Sequence, residues 1–176
     1  MRKVKIQTKI IAEVVAAVAL AYVLNLVVLF RMPQGGSVTA VSMVPLLWLA
    51  LRRGVGIGTL GGIVYGLVDM FPQPYIVHPA QFLLDYPLAF GALGLAGLFK
   101  PVGVTRPLLG VAVGIGGRFV CHFLSGVIFF AMYAPAGMSP IVYSAIYNGS
   151  YLAVELVFSL IVMYALVKRK VIDMRL

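Results

Sequence analysis

Three polar side chains of different chemistry stand inside long apolar stretches of this 176-residue chain: the carboxylate of Asp85, the imidazole of His122 and the amide of Asn148. An ionisable group at the centre of a transmembrane helix costs at least ~2.5–3.5 kcal/mol, so such groups face a bundle interior or water. A pocket is therefore the expected use of these residues, and Tyr143 belongs with them. Tyr65, Tyr75, Tyr86, Phe130, Tyr133, Tyr147 and Tyr151 crowd the same half of the apolar segments or the loops beside it. For any one tyrosine a place in an interfacial belt is the simpler account. A carboxylate among several aromatic faces, however, suits a flat organic cation, held by charge pairing and cation–π contact. His122, Asn148 and Tyr143 would add directional hydrogen bonds to a nitrogen heterocycle.

Other chemistries fit the residues poorly. There is no His-Glu-x-x-His, His78 and His122 lie in different segments, and the single Cys121 excludes both an intramolecular disulfide and a cysteine metal site. A serine hydrolase would need Ser125 or Ser144 packed against His122. Gly54, Gly58 and Gly62 are followed by no Gly-Lys-Ser/Thr, so they form no phosphate loop, and no Walker A motif occurs elsewhere. No catalytic residue, metal or cofactor is expected. Arg118 and Glu155, both near the middle of their helices, could pair with each other as a tie between helices or serve function.

The elements that position these groups are set by hydropathy and charge. The chain is 62% hydrophobic, with a mean hydropathy of +1.04, which excludes an ordinary soluble fold. Its net charge of +9 lies at helix ends, where it sets orientation and meets anionic headgroups, so nucleic acid is not an expected partner. Six apolar segments, approximately 10–30, 43–52, 55–71, 80–99, 107–134 and 139–167, predict an all-α polytopic membrane protein with six transmembrane helices, as one domain over 1–176. The first apolar run is too long for a signal-peptide core and reads as an uncleaved helix. The basic clusters Arg2/Lys3/Lys5/Lys9, Arg52/Arg53, Lys100/Arg106 and Lys168/Arg169/Lys170/Arg175 alternate with these spans, which predicts an N-in, C-in topology. The outer loops are then Arg31–Ser42, Phe71–Pro79 and Tyr133–Ser139. Small residues at four-residue spacing, Gly54/Gly58/Gly62, Gly110/Gly114, Ala12/Ala16 and Ala17/Ala21, predict close helix packing.

Three stretches carry a family resemblance: Val44–Gly54 (VPLLWLALRRG), Gln81–Phe90 (QFLLDYPLAF) and Arg118–Phe130 (RFVCHFLSGVIFF) followed by Tyr143 and Asn148. Over nearly its whole length the chain resembles the thiamine-specific substrate-binding subunits of energy-coupling-factor transporters. The resemblance implies capture of thiamine from outside, with Asp85-Tyr86 near the thiazolium and His122, Tyr143 and Asn148 at the aminopyrimidine. It places Arg118 one turn before the histidine and Tyr65, Tyr75 and Phe130 as aromatic walls. It further implies a transmembrane coupling subunit, met by small residues of the first helix such as Ala12, Ala16 and Ala19, and two ATP-binding subunits. An outer loop, Arg31–Ser42, would close over the ligand. The chain departs from the family pattern at Asp85 (Glu), Arg118 (Lys), and Tyr65 and Phe130 (both Trp), and the family's outer-loop Trp and Glu fall at Gly36 and Ala40. A binding subunit of this architecture for another vitamin or heterocycle, and an intramembrane hydrolase, are the competing readings.

Overall fold

The computed structural model describes residues 8–39, 41–71 and 74–169. Arg2, Lys3, Lys5, Lys170, Asp173, Arg175 and Ala40 lie outside the described residues.

Six helical segments account for most of the described chain. They are α1 (Thr8–Asn25), α2 (Val44–Arg53), α3 (Val55–Asp69), α4 (Pro79–Leu98), α5 (Thr105–Phe129) and α6 (Pro140–Lys168). Four of them, α1, α4, α5 and α6, are long and apolar enough to cross a membrane by themselves; α3 is a shorter apolar helix. Their outward faces carry Val15, Val23, Leu60, Leu124, Ile128, Ile146 and Ile161, apolar surface suited to lipid. This is a membrane protein.

The first helix is shorter than the apolar run predicts, ending at Asn25, not Phe30. The rest of that run forms β1 (Val28–Arg31), which pairs antiparallel with β2 (Ser37–Thr39). Hydropathy alone does not separate a helix from a strand, and the turn at Pro33–Gly35, with Gly35 at φ +97° and Gln34 at φ +61°, folds the chain back on itself. The hairpin lies in series with α2, a helix of only ten residues, or about 15 Å. Irregular backbone survives beside a bilayer core when protein covers it, and Val38, Thr39, Ser42 and Met43 are indeed buried.

Glycines set the packing distance between α2, α3, α4 and α5. A Cβ on Gly58 would sit 2.4 Å from Ala50 Cβ, one on Gly62 2.1 Å from Phe90 O, one on Gly66 2.5 Å from Tyr86 O, and one on Gly114 3.0 Å from Leu93 O. Gly54 differs from its expected packing role. At φ +84°, with nothing within 4 Å of the place a Cβ would take, it is the turn between α2 and α3, a backbone conformation that glycine adopts without steric cost.

The described basic residues of the clusters collect at one end. Glu13 of α1 binds Arg53 at 2.5 and 2.7 Å and lies 3.4 Å from Arg52. Gly97, just before Lys100, abuts Gly54, and Gly110, one turn into α5 from Arg106, abuts Ala96. Leu166, beside Lys168, shares a groove with Glu13. The hairpin and Arg31 lie at the opposite end.

Candidate ligand cavity

Asp85 sits in the weakest stretch of α4. Pro87 has no N–H to donate to the carbonyl four residues back and its ring crowds that turn, and the helix opens into one wide π turn over Leu84–Leu88. Such turns recur at functional sites because they re-aim side chains. Asp85 and Tyr86 thereby turn toward α5 and the 74–78 segment.

The carboxylate of Asp85 is the hub of a polar cluster. Its Oδ1 lies 2.9 Å from His122 Nδ1, and its Oδ2 accepts from Gln81 Nε2 at 2.7 Å and from Ser125 Oγ at 2.8 Å. Arg118 Nε donates to His122 Nε2 at 3.2 Å. Since the guanidinium can only donate, Nε2 is the acceptor in this arrangement, which assigns the ring proton to Nδ1 and directs it at Asp85. Arg118 also lies over the Phe90 ring, 4.1 Å from its centroid.

Around this cluster is a cavity of about 440 Å³, lined by α3 to α6, the residues following α1, and the hairpin. That volume falls in the range of small-molecule sites. Three carboxylates, Asp69, Asp85 and Glu155, face two guanidiniums, Arg31 and Arg118, across it, so a cationic occupant balances the lining. Asp69 is held by Asn25 Nδ2 at 2.7 Å and Tyr65 Oη at 3.2 Å. Tyr75 stacks on Phe130 with centroids 5.8 Å apart, and its hydroxyl lies 2.9 Å from that of Tyr133.

The structure brings most of the expected residues together. Asp85, Tyr86, Arg118, His122, Phe130, Tyr75, Tyr143 and Asn148 all line the cavity. Tyr143 leaves its hydroxyl without a hydrogen bond among the described residues, whereas the Asn148 amide is engaged by His122 O, Ser144 and Tyr151. Tyr65 is not a wall residue. It is buried one layer back, edge-on to Phe90, and supports Asp69.

The pairing of Arg118 with Glu155 is not formed. Arg118 turns to His122 and Phe90, and Glu155 Oε1 accepts instead from Thr39 N at 2.5 Å and Thr39 Oγ1 at 2.8 Å. His78 caps α4 by accepting from Ala80 N and stacks on Phe129, which gives it a structural role. Among the described residues no serine bonds His122: Ser125 donates to Asp85 and Ser144 to Phe123 O, so neither forms the nucleophile–base contact of a hydrolase. Among the described residues no three His, Cys, Asp or Glu side chains group as a metal site.

Gln81 and Ser125 escaped the sequence reading as site residues, although a signal existed. Gln81 is four residues before Asp85 and Ser125 three after His122, spacings that share a helix face. Gln81 is 1% exposed; besides Asp85 it donates to Tyr75 O and accepts from Val77 N, both at 3.1 Å. It fixes the 75–77 segment to the carboxylate. Gln81→Leu is expected to weaken ligand affinity about tenfold while leaving the protein folded, since hydrogen bonds to charged groups contribute ~1.5–3 kcal/mol; titration of the purified variant measures this.

A helical membrane bundle with an aromatic-lined and net acidic cavity is suited to hold a small organic ligand within the membrane. Residues 11–173 match the thiamine transporter protein (Thia_YuaJ) family, and the chain belongs to that family. It is 36% identical over 166 residues to the thiamine transporter ThiT of Bacillus subtilis, an alignment covering 86% of each chain. It is 29% identical over 177 residues to ThiT of Lacticaseibacillus paracasei, covering 89% of this chain and 83% of that one. The solved structure of ThiT from Listeria monocytogenes superimposes with a TM-score of 0.83 at 25% identity, over 92% of this chain and 94% of that one. Members of this family are transport proteins, not enzymes.

Proposed function

We propose that this chain captures thiamine as the substrate-binding subunit of an energy-coupling-factor transporter in a bacterial plasma membrane, with the hairpin end facing outward. The observation that carries the reading is the Asp85 carboxylate, held by His122, Gln81 and Ser125 inside an aromatic cavity. Thiamine joins a fixed positive charge on a flat thiazolium to an aminopyrimidine. The net acidic lining meets the first, the faces of Tyr75 and Phe130 offer stacking, and the hydroxyl of Tyr143 offers a hydrogen bond to the second. Tyr86, His122, Arg118 and Asn148 complete the site, and Tyr65 backs it.

Transport requires partners, because the chain has no nucleotide-binding motif. A transmembrane coupling subunit and two ATP-binding subunits supply the work, and rotation of the loaded subunit exposes the site inside. Ala12, Ala16 and Ala19 lie on the exposed face of α1, while Ala17 and Ala21 are buried against the bundle. The exposed trio suits the close approach of a partner helix.

Isothermal titration of the detergent-purified protein with thiamine, and with riboflavin as control, tests the reading. Saturable binding of thiamine alone, without ATP, is expected. Folded protein that binds riboflavin or neither compound would sink the thiamine assignment.

A further inference from the structure

Glu155 is 2% exposed and lies midway along α6, where a carboxylate is costly unless it has work to do. It forms no ion pair among the described residues. Among the described residues its hydrogen bonds go to Thr39, the last of β2, through both the backbone N–H and the side-chain hydroxyl. Thr39 Oγ1 is also 2.8 Å from Ser42 Oγ, at the entry to α2. The second Glu155 oxygen is buried without a partner. At the other end of the hairpin, Tyr147 of the same helix accepts from Gly36 N–H at 3.1 Å and donates to Pro33 O. Gly36 lies against the rings of Tyr147 and Tyr151, where a Cβ would come within 2.9 Å of Tyr151 Cε1. Thus α6 grips the hairpin at its tip and at its root, and the hairpin supplies Gly35, Gly36, Ser37 and Thr39 to the cavity lining.

We propose that Glu155 is a positioning residue: it clasps Thr39 so that the β1–β2 hairpin is held shut over the cavity and sets the rate at which ligand leaves. A charged acceptor taking two donors from one residue makes a strong, geometrically specific tie. It sits at the root, where a small loss of grip moves the whole hairpin. The tie acts on departure more than arrival, because it exists only when the hairpin is closed.

The test places a nitroxide on the hairpin at Leu29, which is 59% exposed, as Leu29→Cys in a Cys121→Ser background. In ligand-free protein Glu155→Ala should add a mobile component to the label's spectrum, and Glu155→Gln, which keeps an acceptor, should largely restore the immobile one. With thiamine, Glu155→Ala should raise koff about tenfold, as loss of a charge-assisted bond that holds the closed hairpin implies, and change kon less. Thr39→Val removes one donor and should raise koff about threefold; it serves in place of Glu155→Ala if that protein does not fold. A label spectrum or a koff indistinguishable from the parent in the folded variants overturns the proposal. The koff arm rests on the thiamine reading, whereas the label arm does not, so a chain that ignores thiamine still decides the clasp.

Discussion

Replacing Asp85 with alanine is expected to weaken thiamine binding by about 10²–10³-fold, the largest loss of any single side chain in the cavity. Two effects combine. The ligand's positive charge loses its hydrogen-bonded counter-charge, and three donors (Gln81 Nε2, Ser125 Oγ and the Nδ1–H of His122) lose their common acceptor. Removing one member of a buried charged network costs ~3–5 kcal/mol, and the lower part of that range corresponds to the loss of affinity given, at ~1.4 kcal/mol per tenfold. Asp85→Asn separates the two effects, since it keeps the shape and one acceptor oxygen but removes the charge. Calorimetric titration should show both variants impaired, Asn less than Ala, with size-exclusion profiles like the parent's. Thiamine bound by Asp85→Ala with undiminished affinity would move the cation site to Asp69 or Glu155.

The second large effect is structural. Gly62→Leu should lower the thermal unfolding midpoint in detergent by about 2–12 °C and weaken ligand binding with it. A Cβ at this position meets the Phe90 carbonyl oxygen at 2.1 Å and its carbon at 2.7 Å, and backbone cannot rotate away as a side chain can. Overpacking of this kind costs ~1–3 kcal/mol, and each kcal/mol moves the midpoint of a chain this size by ~2–4 °C. Because α4 would be pushed off α3, the wide turn that carries Asp85 and Tyr86 would shift as well, and geometry misplaced by ~1 Å is enough to degrade a site. Gly56→Ala is the matched control. It lies in the same helix with nothing within 4 Å of an added Cβ, and its midpoint should stay at or slightly above the parent's, as alanine favours helix. Equal midpoints for Gly62→Leu and Gly56→Ala would mean that α3 and α4 can separate at this contact without cost.

The helical membrane architecture was legible in the sequence because lipid imposes a rule that reads residue by residue. Every backbone polar group must be satisfied within its own segment, so apolar runs become helices and charges mark their ends. The basic clusters needed only those rules to be assigned to one side, and the contacts bring their described members to one end. Asp85, His122 and Asn148 were legible for a related reason: polarity inside such a run is too costly to be incidental. The stripe Ser144, Asn148, Tyr151, Glu155 and Ser159, all buried, is likewise a helical spacing that the sequence determines by itself.

What each of those groups touches was decided by tertiary structure alone. Thr39 meets Glu155 across 116 residues, Asn25 meets Asp69 across 44, and Ser125 meets Asp85 across 40. No local period encodes such separations. Hydropathy alone placed Leu26–Phe30 in a helix, and pairing with Ser37–Thr39 made Val28–Arg31 a strand. Mid-helix charge suggested Arg118 with Glu155, yet the hairpin reached Glu155 first. Spacing within one helix is written in the order of residues, but the partner across a cavity depends on how the helices pack, which glycines allow them to approach, and where the chain folds back between them.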